Sequence, residues 1–311
     1  VLPLAEPLMR SQDLVVLEEP RLPGFREMLE GSWAIDHYLE ENAFEFPAFA
    51  RRSCEVLRQL HGDGIAVVQV EPYLEELGAI YDFFDGGGKP EQIRDGTLRR
   101  SVYETERSWT GSLMQHYWTA PAADFRVVVA ALKAFAREDA ARGVLRDRLR
   151  AEKIVDLTQK HRRIYVEAGY LHVTLRRELQ ARLGSRVVVR PRLILEPVAR
   201  RLCGRPHVLL PGDRLVMRAA FQPDFDGEGA DLLAARALIL LKIEPKEEQT
   251  APEGTFPHTE KEVELLRLAE RLSFDDCGTL FERIRRAGTA EAEALVRDYI
   301  PTEPIQTDRV T

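Results

Sequence analysis

The sequence predicts an α/β protein: a mostly parallel sheet with helices on both faces, followed by a C-terminal helical region. Three observations predict it. Short apolar runs rich in β-branched residues lack polar alternation, the pattern of strands buried on both faces. Stretches with helical spacing separate them, and strand–helix alternation gives a parallel sheet. After Pro197 the composition changes and helical periodicity takes over. On this reading residues 1–200 form an α/β core domain with an acidic crevice, and residues 201–311 form a mostly helical extension packed on it.

The elements follow in order. Asp13–Leu17 is the first strand and runs into Glu18-Glu19-Pro20. Short helices at Phe25–Leu29 and Ile35–Glu40 precede a longer one at Pro47–Leu60, stopped by His61-Gly62-Asp63-Gly64. Gly64–Val70 is the second strand and runs into Glu71-Pro72, and Gly86-Gly87-Gly88-Lys89-Pro90 breaks the chain. From Ala123 to Lys160, Phe125, Val128, Val129, Leu132 and Phe135 line one face of a helical stretch, with a bend expected near Gly143. Arg163–Val166 is the third strand, ending at Glu167-Ala168-Gly169, and a helix over Leu171–Leu183 is closed by Gly184. Arg186–Leu195 leads into Glu196-Pro197, but Arg190, Pro191 and Arg192 suit only an edge strand or two pieces. Glu228–Ile243 and Thr259–Leu272 read as helices, Lys246–Gly254 as a mobile linker, and Pro301–Thr311 as a loosely held end.

With 311 residues, 44% hydrophobic and 31% charged, the chain has an ordinary globular balance. A net charge of -7 and a pI near 5.7 disfavour nucleic acid as a partner. The basic run Arg146-Asp147-Arg148-Leu149-Arg150 is interleaved with acid and reads as a solvated helix face. Cys54, Cys203 and Cys277 share no CxxC or CxxH spacing, so neither a disulfide framework nor a zinc ribbon is indicated. No apolar run is long enough to span a bilayer, and no leader pattern occurs. A cytoplasmic protein with no membrane partner is expected, and a homo-oligomer is compatible with this surface. The chain begins at Val1 rather than Met, so an upstream segment is expected.

The acids carry the functional signal. Glu18, Glu71, Glu167 and Glu196 each follow the last apolar residue of a strand-like run. In open α/β sheets the ligand crevice lies at the carboxyl ends of the parallel strands. Carboxylates meeting there repel one another, so one must hold a proton or the group must share a cation. A divalent metal, an arginine from a neighbouring helix or a cationic substrate group would serve. Arg146 is a candidate counter-charge. His172 offers an imidazole for a metal or for general base work, and Tyr170 a hydroxyl for a substrate oxygen. A blander reading stands beside this one, because a polar residue followed by proline is also a common way to leave a sheet. The other histidines form no HxH or HExxH, the Gly86-Gly87-Gly88-Lys89 run lacks phosphate-loop spacing, and no GxSxG or GxGxxG occurs.

In their order, these features resemble the TraB/Tiki-type superfamily, which takes in ChaN-like and erythromycin-esterase-like proteins. Leu14-Val15-Val16-Leu17-Glu18-Glu19-Pro20 is similar to the family strand ending in a Glu-Leu-Asp type motif, and Ala66-Val67-Val68-Gln69-Val70-Glu71 to the next. Arg146 to Ile154 resembles a helical Arg-Asn/Asp-x-x-Met-Ala-x-x-Ile motif, and Val166-Glu167-Ala168-Gly169-Tyr170-Leu171 stands in the place of Gly-Ala-Gly-His-Leu. The resemblance covers Val1 to Arg190. The family's first Gly-x-x-His would precede Val1; its second histidine falls on Tyr170, with Glu167 replacing a glycine, and His172 restores the spacing by a shift of two. The resemblance implies a hydrolase, since Tiki-type members are metal-dependent proteases and others are esterases or haem binders.

The leading expectation is therefore a hydrolase acting on a small-molecule or peptide substrate. Its catalytic groups are Glu18, Glu71, Glu167, Tyr170 and Arg146; a divalent metal, where one binds, would sit on Glu18, Glu71, Glu167 and His172. The rival is a non-catalytic binder of a cationic small molecule or peptide at the same crevice. A third reading is a structural or regulatory module acting through the C-terminal helices.

Overall fold

The computed structural model describes residues 1–248, 252 and 254–299. The expected loose end at Pro301–Thr311, and residues 249–251 and 253 of the expected linker, lie outside them.

The sheet has three parallel strands in the order β2-β1-β3, with β1 at Leu14–Leu17, β2 at Ala66–Gln69 and β3 at Ile164–Val166. Leu14 pairs with Ala66 on one side and Ile164 on the other, and the register runs without a bulge to Leu17 opposite Gln69. The central strand is fully buried, as its unbroken apolar run requires. Val15 and Leu17 face a layer of α1 (Leu2–Arg10), α2 (Phe25–Glu30), α3 (Ile35–Asn42) and α4 (Pro47–Gly62). Leu14 and Val16 face α7 (Phe125–Leu157) and α8 (Leu175–Leu183), so helices cover both faces. Between β2 and α7 lie α5 (Pro72–Asp85) and α6 (Leu98–Thr119), an antechamber that packs Tyr73, Ile80 and Val102 against Leu149.

The C-terminal region is helical throughout its described length: α9 (Glu196–Cys203), α10 (Pro211–Phe221), α11 (Glu228–Ile243), α12 (Pro257–Glu270), α13 (Phe274–Ile284) and α14 (Thr289–Tyr299). Most of α11 is apolar and buried at its centre. Phe125, Val128, Val129, Leu132 and Ala136 of α7 join this second core, whereas Ala151 and Ile154 of the same helix pack on the sheet. No helix among the described residues is long and apolar enough to cross a membrane.

Several expectations need correction. The sheet is wholly parallel but small, and the protein is mostly helical rather than built on a large sheet. Arg186–Leu195 pairs with no strand; Pro191 removes a ladder donor, and Val188 stays 71% exposed. Glu196 accordingly opens α9 instead of ending a strand. The helix does not break near Gly143: α7 is one continuous helix of 33 residues, about 50 Å long, through that position. The helix expected from Leu171 begins at Leu175, with His172 in the turn before it.

Three short strands share few ladder bonds, and Arg150 of α7 adds to them. Its side chain is fully buried, with Nε donating to Val70 O at 3.0 Å and Nη2 to Glu167 O at 2.9 Å and Leu17 O at 3.5 Å. One guanidinium thus gathers the carboxyl ends of all the strands. Replacing it by an apolar side chain leaves these carbonyls and the neighbouring carboxylates unpaired. Arg150→Met is expected to cost about 3–5 kcal/mol of unfolding free energy in urea denaturation, and Arg150→Lys less, because the ammonium keeps the buried charge although it cannot fork to three acceptors. A loss below about 1 kcal/mol for Arg150→Met would discount the clamp.

Candidate active site

Glu18 is the first residue beyond β1 and Glu167 the first beyond β3; Glu71 lies two beyond β2, at the N-cap of α5, whose first turn begins with Pro72. Parallel register therefore delivers three carboxylates to one end of the sheet. Glu71 is completely buried there.

The opposing charges come from one face of α7. Arg146 donates through Nε to Glu71 Oε1 at 3.2 Å and through Nη2 to Glu18 Oε1 at 3.4 Å. One turn later Arg150 Nε stands 3.5 Å from Glu71 Oε2. Asp147, between them and fully buried, accepts from Thr174 N–H at 2.8 Å and Thr174 Oγ1 at 2.6 Å.

The turn after β3 completes the group. Gly169 N–H donates to Glu18 Oε2 at 2.6 Å, and His172 N–H closes the turn on Gly169 O at 3.0 Å. His172 is thereby aimed inward, with Nε2 2.6 Å from Glu18 Oε1 and Nδ1 on Asp147 Oδ1. Both ring nitrogens meet carboxylates, an arrangement that favours the ring with a proton on each nitrogen. Burial opposes that charge, but Asp147 and Glu18 outweigh it and hold the His172 pKa above its ordinary value.

The same environment separates two of the glutamates. Burial raises the Glu18 pKa, yet His172, Gly169 N–H and Arg150 prevail and bring it to about 2. Glu167 has no such partner set. Burial pushes it up to about 7; the Glu18 N–H at 3.4 Å offsets part of that rise, and Glu19 and Glu18 add repulsion. One carboxylate is a fixed anion; the other holds or releases a proton near neutrality.

The structure thus brings together Glu18, Glu71, Arg146 and His172, with Glu167 at the edge. Glu18, Glu71 and His172 each offer a donor atom within 4.8 Å of the others, and Glu71 Oε2 is buried without a hydrogen bond. Glu167 is not in that set, so its expected role as a ligand is corrected. Tyr170 is also displaced: the turn sends it outward, and its hydroxyl donates to Asp213 of α10 at 3.1 Å. Burial and Asp213 raise its pKa, which suits a hydrogen-bond donor and not a proton carrier in the crevice. The reading of 146–150 as a solvated face was wrong for Asp147 and Arg150, the two residues buried most completely; Arg148 alone of the charged three beyond Arg146 is exposed. Their signal was the 3–4 spacing of Asp147, Arg150, Ala151 and Ile154 on one side of α7. Beside Arg146 and His172 a cavity of about 70 Å³ opens between α7, this turn and α10.

Stability should respond to pH with opposite signs. The Glu18 contribution is present above pH 4.5 and is lost as pH falls toward 2; the His172 contribution is present below pH 6.5 and is lost as pH rises through its higher folded value. Glu167 works against folding as pH rises from 4.5 to 7, because the folded state keeps its proton longer. Glu167→Gln is therefore expected to gain up to about 3 kcal/mol at pH 8 relative to its effect at pH 4, read by denaturant titration at both values. An equal effect at the two pH values would show that Glu167 is not held protonated.

No family model and no solved structure matches the chain. A protein of Archaeoglobus fulgidus, described as an uncharacterized protein, is 32% identical over 274 residues, which cover 88% of this chain and 90% of its own length. The likeness therefore extends over most of the chain. The chain belongs to the same family as this archaeal protein.

Proposed function

We propose that the protein is a metal-assisted hydrolase, similar to the TraB/Tiki-type superfamily, acting at the strand-end crevice on a small-molecule or peptide substrate. The observation that carries this reading is the donor set of Glu18, Glu71 and His172 within 4.8 Å, backed by Glu71 Oε2, which is buried without a hydrogen bond although Arg150 stands 3.5 Å away. Two carboxylates and an imidazole suit a borderline divalent ion such as zinc or manganese. Asp147 supports the fit: by accepting from Nδ1 it leaves Nε2 for the ion, and Thr174 fixes Asp147 in turn. A bound divalent ion would supply Lewis acidity and lower the pKa of water.

The protein's own groups do the rest. Glu167, with a pKa of about 7, takes a proton from the attacking water and returns it to the leaving group. Arg146 reaches the crevice from α7 and opposes negative charge building on the substrate oxygen. Glu18 stays ionised throughout. A binder of a cationic small molecule or peptide at the same crevice is the second reading, and it would use the same carboxylates against the same counter-charges.

Calorimetric titration with zinc or manganese tests the centre. Affinity is expected to rise from pH 6.5 to 8.5, with a proton released from His172, since the proton and the ion compete for Nε2. Glu71→Gln and His172→Ala should abolish binding, and Asp147→Asn should weaken it by about 10- to 100-fold. Turnover of an ester and peptide panel should vanish in Glu18→Gln and Glu71→Gln. Metal binding unchanged in Glu71→Gln would remove this donor set as the metal site, and turnover surviving both substitutions would remove the crevice as the catalytic centre.

A further inference from the structure

The cavity next to the site is bordered by Gly143 and Arg146 of α7, His172 of the turn, and Val216, Met217 and Ala220 of α10. Two other bordering groups are engaged elsewhere: Arg142 donates to Glu106 at 2.8 Å, and Asp139 accepts from the Trp109 indole at 2.8 Å. Arg146 is only half engaged. It spends Nε on Glu71 and Nη2 on Glu18, and Nη1 has no hydrogen bond among the described residues. The cavity therefore offers one guanidinium nitrogen without a partner, beside the engaged Asp139, Arg142 and His172 and against the apolar wall of α10.

Gly143 leaves this space open from the side of α7. A glycine inside a long helix costs about 1 kcal/mol relative to alanine. Its φ is not positive, and a Cβ there would meet no heavy atom within 4 Å. Neither the backbone nor a neighbour demands glycine. What the missing side chain leaves is room beside Arg146.

We propose that this cavity is a subsite for a short aliphatic carboxylate, its anionic end on Arg146 Nη1 and its alkyl chain against Val216, Met217 and Ala220. About 70 Å³ holds roughly five or six heavy atoms, the size of propionate or butyrate. The proposal rests on the hydrolase reading in one respect: it takes the acid to be the acyl half of the substrate. Hydrolysis adds the hydroxyl of water to the acyl carbon, breaks the bond to the leaving oxygen or nitrogen, and sends the remaining proton to the leaving group. The acid then ionises on Arg146.

The test is equilibrium binding to the full chain without added metal, read by calorimetry or NMR shifts, with sodium acetate, butyrate and octanoate and with n-butylamine. Butyrate is expected to saturate the protein at concentrations where the other three do not. Gly143→Ala should weaken butyrate by about tenfold while raising Tm, and Ala220→Leu, filling the cavity from the other side, should abolish binding. The rise in Tm separates a filled subsite from a damaged fold. Butylamine binding as well as butyrate, no saturable butyrate binding, or butyrate binding unchanged in Gly143→Ala and Ala220→Leu would each overturn the proposal. Butyrate binding that is sensitive to Gly143, in a protein showing neither metal binding nor turnover, would keep the subsite and discard the hydrolase.

Discussion

One buried guanidinium organises this protein. Strands of three or four residues run out of ladder partners quickly, and their terminal carbonyls face away from water beneath α7. Arg150 reaches Val70, Leu17 and Glu167 from a single side chain, which a planar fork can do and a point charge cannot. A dry cation needs anions within reach. Glu71 and Glu18 stand beside it for that reason, so the acids at the strand ends are in part the electrostatic complement of a structural clamp.

From that constraint the chemistry of the crevice follows. Glu18 receives an imidazolium, a backbone N–H and an arginine, and remains ionised. Glu167 receives burial and like charge, and its proton becomes labile near neutral pH. Two identical side chains a short distance beyond neighbouring strands are driven apart by their surroundings, the condition under which a pair of carboxylates divides into a permanent anion and an acid–base group. Asp147 fixes the third member by accepting from His172 Nδ1 while tied to Thr174.

The long helix α7 carries these effects across the molecule. Its first half belongs to the core of the C-terminal helices, its middle borders the cavity with α10, and its last turns lie over the sheet. Arg146, Asp147 and Arg150 are consequently held by packing at both ends. The C-terminal helices contribute to the site through α10, which supplies the apolar wall of the cavity and the partner of Tyr170.

Local pattern determined much of this. The β-branched runs ending in Glu18, Glu71 and Glu167 specified three parallel strands and where their acids would emerge, because period and run length depend on near neighbours alone. Helical spacing likewise located α4, α7 and α11 within a few residues. Tertiary structure decided the rest. Whether Arg150 and Asp147 face water or a sheet, and whether Tyr170 or His172 turns inward, depends on partners 17 to 154 residues away, which no local pattern encodes. Arg186–Leu195 had strand-like residues, yet it stays outside the sheet, with Pro191 supplying no N–H for a ladder. Strand identity is a property of the chain nearby, while the pairing of charges is a property of the space into which distant pieces fold.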